Sequence, residues 1–134
     1  MADIVTMMKG IPDLFGMQGC TDEQIAEAEK ELEMKFPQEY IDYVKEYGCM
    51  DFGSTEWTGL NVEGRLNTVT ATRQERSVNP DFPKGYFVLE DTGIDARKIV
   101  VDEKGKVFVL QYEKMTALCD SILEYLSSCI EKNA

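Results

Sequence analysis

Carboxylates are the side chains with the most chemical reach in this chain, and their pattern favours binding over catalysis. Asp and Glu number 25 against 14 Lys and Arg, and there is no histidine. Without histidine, every Ser-His, Cys-His and His-metal arrangement is excluded, and with them most hydrolases. Neither phosphate loop, G-x-G-x-x-G or G-x-x-x-x-G-K-[ST], occurs. What is left is paired-carboxylate catalysis or an oxygen-ligated cation, for which Asp91 and Asp95, flanking Gly93, are the nearest pair. A calcium loop of the EF-hand kind needs oxygens at alternate positions and a closing Glu, and Thr92-Gly93-Ile94 supplies too few. A turn between strands explains the same residues, with Asp91 bonding its own backbone and Gly93 taking a positive φ. The expectation is a non-enzyme without cofactor or metal.

Cys20, Cys49, Cys119 and Cys129 make no C-x-x-C pair, and no histidine completes a mixed zinc site. They read as free thiols, Cys119 and Cys129 lying on the apolar stripe of a last helix. Trp57, the only tryptophan, sits between glycines with Glu56, Asp51 and Phe52 nearby. That setting fits an interface anchor ringed by charge, with a core plug as the bland reading and the favoured one.

These residues must be positioned by local elements, two of which are written plainly. Thr21 caps a helix, with Gln24 three residues on completing a capping box and Asp22 and Glu23 at the positive end of the helix dipole. Ile25, Ala28 and Leu32 give it one apolar stripe. Pro37 stops that helix and suits the first turn of another, whose apolar face is Tyr40, Ile41, Val44 and Tyr47 and whose end is Gly48. Glu23, Glu27 and Glu31 form a ridge on the first helix, and Glu39, Asp42 and Glu46 a line on the second. Both read as solvated faces. Ile4 to Phe15 is a weak helical arm broken at Gly10-Ile11-Pro12.

Short strands are expected between Cys49 and Leu66, where glycines punctuate the pattern. Clearer strands run from Tyr86 to Leu89, Lys98 to Val101 and Val107 to Tyr112, the last two joined by the tight turn Asp102-Glu103-Lys104-Gly105. Thr116 is expected to cap a final helix carrying Cys119, Ile122, Leu123, Leu126, Cys129 and Ile130. Thr68 to Arg76 reads as strand by its β-branched residues and as helix by the spacing of Val69, Arg73 and Arg76. The order predicts an α+β fold: an antiparallel β-sheet with N-terminal helices and a C-terminal helix packed against it. At 134 residues one domain, 1–134, is expected.

A net charge of -11 bears on partners. Nucleic acid and anionic membrane surfaces are disfavoured, because both demand clustered Lys and Arg and the longest basic run is Arg97-Lys98. Rapid association with a basic protein is favoured, and solubility alone explains the acidity equally well. Ile4 to Met8 is too short for a signal core, and no apolar run approaches the roughly 20 residues of a membrane span. Cytoplasmic residence is the expectation.

The stretch from Thr21 to Gly48 resembles the SUKH superfamily, which includes yeast cell-wall synthesis regulators and many bacterial immunity proteins. The resemblance rests on Gln24-Ile25, Glu29, Phe36-Pro37, Tyr40 and Gly48, on Trp57-Thr58-Gly59-Leu60, and on Phe82-Pro83 before the strand Tyr86 to Glu90. Asp91-Thr92-Gly93-Ile94-Asp95 then resembles the turn of the family's central hairpin. Two positions depart from the pattern: Tyr47-Gly48 stands where Asn-Gly is common, and Gly93-Ile94-Asp95 where Gly-Gly-Asp is. The resemblance runs from about Thr21 to the C-terminus and tips Thr68 to Arg76 toward helix.

For bacterial members the resemblance implies neutralisation of a cognate toxin, nucleases prominent among them. A nuclease is basic where it grips phosphate, so an acidic inhibitor competes for that surface. Asp51, Glu56 and Trp57, with Glu90, Asp91 and Asp95 near the hairpin turn, are the expected partner contacts. A regulatory protein-binding scaffold is the alternative that the eukaryotic members imply.

Overall fold

The structure, a computed structural model, describes residues 3–112 and 114–133. Its helices are α1 (Ile4–Lys9), α2 (Asp22–Leu32), α3 (Gln38–Tyr47), α4 (Thr68–Val78) and α5 (Ile122–Lys132). A three-stranded antiparallel sheet has the order β1 (Phe15–Gly16), β2 (Met50–Phe52), β3 (Thr55–Trp57). A four-stranded antiparallel sheet follows in chain order: β4 (Tyr86–Asp91), β5 (Arg97–Asp102), β6 (Val107–Gln111), β7 (Lys114–Cys119). The two are joined where the Thr58 amide donates to the Leu89 carbonyl at 2.7 Å. The fold is α+β.

Local chemistry sets the helix starts. The Thr21 hydroxyl accepts from the Gln24 amide at 3.1 Å while Gln24 Oε1 accepts from the Thr21 amide at 2.8 Å, a reciprocal capping box. Glu33 ends α2 in the left-handed region at φ 55°. Glu29 then reaches past the bend, its carboxylate accepting from the Phe36 amide at 2.8 Å, so a side chain on one helix holds the corner that opens the next. Pro37 stands at the N-cap of α3.

Alternation along the strands divides the core in two. Ile99 and Val101 of β5, Phe87 and Leu89 of β4 and Val107 of β6 face the larger core, closed by α5 and α3. Val88, Val100 and Leu110 point to the other face, where Phe82 and Ala71 of α4 cover them in part. Tyr40 is fully enclosed and bonds through its hydroxyl to Thr68, while Tyr43 donates to the Thr58 carbonyl at 2.9 Å. Thr58 in turn donates to the Val88 carbonyl at 2.8 Å, so the helix α3, the start of α4 and the sheet meet on one threonine.

Three expectations need correction. The last helix begins at Ile122, capped by Ser121, and the stretch expected as its first turn is strand β7. Thr116 and Ser121 are both competent caps. Pairing with β6, through a turn in which Tyr112 takes φ 57°, decides for strand at the first. Cys119 therefore ends a strand and stands outside the helix. The N-terminal arm is also built in more firmly than a weak helix: Ile4 and Met8 are buried, and Phe15–Gly16 pairs with β2. The sheet expected as one is two.

The four cysteines are free thiols, with Cys20, Cys49 and Cys129 buried and Cys119 half-buried. Burial raises all four above the ordinary thiol value, Cys49 to about 11.

Candidate functional site

The outward face of the small sheet carries a row of opposed residues. Phe15 of β1 lies opposite Asp51 of β2, which lies opposite Glu56 of β3. Two carboxylates facing each other across adjacent strands repel, and Arg65 relieves them by donating to Glu56 at 2.9 Å. Arg65 comes from the 3-10 turn Gly64–Leu66 that leads into α4. Its guanidinium is held above the ordinary arginine range by the hydrogen bond to Glu56 and that residue's charge, with Asp91 adding to the field.

Beside this row a cleft of about 530 Å³ opens between the 3-10 turn, α4 and the rim of the large sheet. Glu56, Arg65, Asp91 and Lys98 supply its charge, and Ala71 and Val88 part of its apolar lining. Lys98, opposite Asp91 in the β4–β5 register, turns instead to the buried Glu75 of α4 at 2.7 Å. Asp91 accepts from the Gly93 amide at 3.0 Å, and Gly93 has φ 71°, the turn expected for this sequence. Asp95 is exposed further along the same hairpin, with φ 53°.

Four of the six anticipated contacts, Asp51, Glu56, Asp91 and Asp95, thus present themselves at the surface, and Glu56 and Asp91 share the cleft. The other two do not. Trp57 is 0 % exposed, packed edge-on against Tyr43 with ring centroids 5.4 Å apart and stacked near Tyr125 at 6.0 Å. Alternation explains it: Glu56 faces out, so Trp57 faces in. Glu90 is 3 % exposed, because a register shift after Val88 turns it to the inner face opposite Ile99.

Inside, Glu90 accepts from the Tyr125 hydroxyl at 2.6 Å. Burial raises its pKa above the ordinary glutamate value, with the Tyr125 hydrogen bond and the charge of Lys132 opposing that shift. The Trp57 indole N–H approaches this carboxylate without reaching hydrogen-bond geometry. Neither residue is a surface anchor.

Arg65, Glu75 and Lys98 were not anticipated as part of the site. Glu75 and Lys98 are 23 residues apart, a distance no local pattern spans. Arg65 has a faint signal in Gly64-Arg65, where a glycine frees the turn just before a helix. The second helix also holds a surprise, since Glu39 does not merely line a solvated face. Its carboxylate accepts from the Ile122 amide at 2.9 Å and the Leu123 amide at 3.4 Å, capping α5 from outside.

Among the described residues no three His, Cys, Asp or Glu side chains stand together as a metal site, and no helix is long and apolar enough to cross a membrane. The arrangement offers charge and shape for a partner: an acidic row, a cleft and one exposed, ion-paired arginine.

A search of curated proteins finds no significant match. The family model SUKH_5, described as SMI1-KNR4 cell-wall, matches residues 1–131, including the N-terminal arm that the motifs from Thr21 onward leave out. The match takes in the helix corner at Pro37, the Thr58 junction and the hairpin at Gly93 and extends over nearly the whole chain, and the chain belongs to the SUKH_5 family.

Proposed function

We propose that this SUKH-family chain is a cytoplasmic immunity protein: it binds a cognate bacterial toxin domain, of the basic nuclease kind, and covers its active surface without performing catalysis. The observation that carries the reading is the outward row of Asp51 and Glu56 beside a cleft shared by Glu56 and Asp91, in a chain of net charge -11. A surface that binds phosphate must be basic, and an acidic partner of this shape competes for it. Asp95 extends the same charge along the hairpin, while Trp57 and Glu90 support the surface from within.

Co-expression with the toxin domain encoded beside this gene tests the reading, scored first by survival and then by co-purification. Survival together with a stable complex is the expected result. Survival without a complex would rule out occlusion.

A second reading is favoured by the family description, which refers to the cell wall. On that reading the same surface recruits a cellular protein as a regulatory scaffold. Failure of every neighbouring toxin domain to bind, with the gene set among cell-wall functions, would favour it.

A further inference from the structure

The large sheet has two edges, and they are treated differently. Along β4, side chains occupy the backbone groups: Thr72 Oγ1 accepts from the Val88 amide at 3.0 Å and Thr58 donates to the Val88 carbonyl at 2.8 Å. The residue just after β3 adds the bond from the Thr58 amide to the Leu89 carbonyl. Along β7 there is nothing comparable. It ends the strand order, and among the described residues no backbone bond from 114–119 reaches any element other than β6. Lys114, Thr116, Ala117 and Leu118 are exposed, with Leu118 at 47 %.

Open edges of this kind are ordinarily blunted by charge, by proline or by a covering loop. Lys114-Met115-Thr116-Ala117-Leu118-Cys119 contains one charge and no proline. Its only irregularity is a register shift opposite Val107 and Phe108, which leaves Lys114 to Ala117 regular.

We propose that β7 is an interface between two copies of this chain, paired antiparallel about a two-fold axis at Thr116. The register follows from the rows of the outer face. One row runs Val88, Val100, Phe108, Ala117, and the next runs Asp91, Lys98, Leu110, Met115. Pairing about Thr116 sets Ala117 of one copy against Met115 of the other, so Phe108 and Ala117 continue into Met115 and Leu110 without a break in apolar surface. Threonine meets threonine at the axis, and Lys114 faces the region of Leu118, so no like charges oppose each other. A slip of one residue would set the outer row of one copy against the inner row of the other and break the apolar surface.

Charge also selects this edge. Two chains of net charge -11 repel, and a strand whose one charge is Lys114 is where they approach at least cost. Association should therefore strengthen with added salt, which screens the repulsion. Asp91 lies on β4, at the opposite edge of the sheet, so a dimer of this form leaves both clefts free.

Sedimentation velocity of the intact chain over a concentration series tests the proposal. A mass rising about twofold with concentration is expected, as mass action requires of a reversible dimer, with the midpoint at lower concentration in high salt. Ala117→Lys should hold the chain at monomer mass while its circular dichroism stays native. A second test does not depend on that variant folding: Thr116→Cys in a Cys119→Ser background, treated with a short bis-maleimide, should give a covalent dimer, and Glu31→Cys in the same background should not. A monomer at every concentration and salt, or equal cross-linking at both positions, would overturn the proposal. So would a chain that stays monomeric alone and fills this edge only with an extended segment of another protein.

Discussion

The carbonyl oxygen of Gly48 lies where a β-carbon on Gly59 would stand: a Cβ built there comes within 1.8 Å of it. The Leu60 amide donates to the same oxygen at 2.8 Å, so the end of α3 and the strand leaving Trp57 are locked backbone to backbone. Gly59→Ala cannot be absorbed by moving a side chain and should cost about 3 kcal/mol or more. Gly10→Ala is the counterpart, with nothing nearer than 3.5 Å and no positive φ, and should be neutral or stabilising by up to about 1 kcal/mol. Urea denaturation midpoints measure both.

Glu39→Ala removes the carboxylate that accepts from the first two amides of α5. A loss of about 1–2 kcal/mol is expected, comparable to removing a strong helix cap. Glu39→Gln keeps an acceptor and gives up the charge, so its loss should be smaller. Equal stability of Glu39→Ala and the parent in urea would remove this link between α3 and α5.

The buried pair of Glu90 and Tyr125 gives a pH signature. Because burial raises the Glu90 pKa in the folded state, the native protein holds its proton to higher pH than the unfolded chain does. Stability contributed by this site is present below the ordinary glutamate value and is lost as pH rises through the folded-state value. Glu90→Gln, which can still accept from Tyr125, should flatten the acid-to-neutral slope relative to the parent when thermal stability is followed against pH. Tyr125→Phe leaves the carboxyl without its donor and should cost about 1–3 kcal/mol.

For the proposed toxin complex, simultaneous reversal of Asp51, Glu56 and Asp91 to Lys should slow association about tenfold or more at low salt, with dissociation changed far less. Stopped-flow association at several ionic strengths measures it. A rate indifferent to both the substitutions and the salt would assign the acidity to solubility.

What was legible in the sequence was what local chemistry decides. Thr21 and Gln24 specify their capping box within three residues, and Asp91 to Gly93 specify their turn within two. The strand β7 and the two residues of β1 were not legible, because each is a strand only by virtue of its partner, β6 or β2. At Thr116 the three-and-four spacing of apolar residues ran on through Cys119 and hid the boundary at Ser121. The candidate site was half legible for a related reason. Alternation in a strand as short as Thr55–Trp57 leaves the choice of face to the core, which took Trp57 and left Glu56 outside, and the shift after Val88 did the same to Glu90. Arg65 and the Glu75–Lys98 pair depend on contacts between distant segments.

The four raised thiols give the chain a set of clocks. A thiol reacts through its thiolate, so in the closed protein all four are slow nucleophiles. Alkylation of the three buried thiols must then wait for their own parts of the fold to open, the entry to α2 for Cys20, the α3–β2 junction for Cys49 and the body of α5 for Cys129, while the half-buried Cys119 at the end of β7 is reachable in the closed protein and serves as the reference. Mass spectrometry after timed labelling would resolve three opening rates against that reference in one sample, and a partner seated on the cleft or along β7 would reveal its footprint by which of the four reactions it slows.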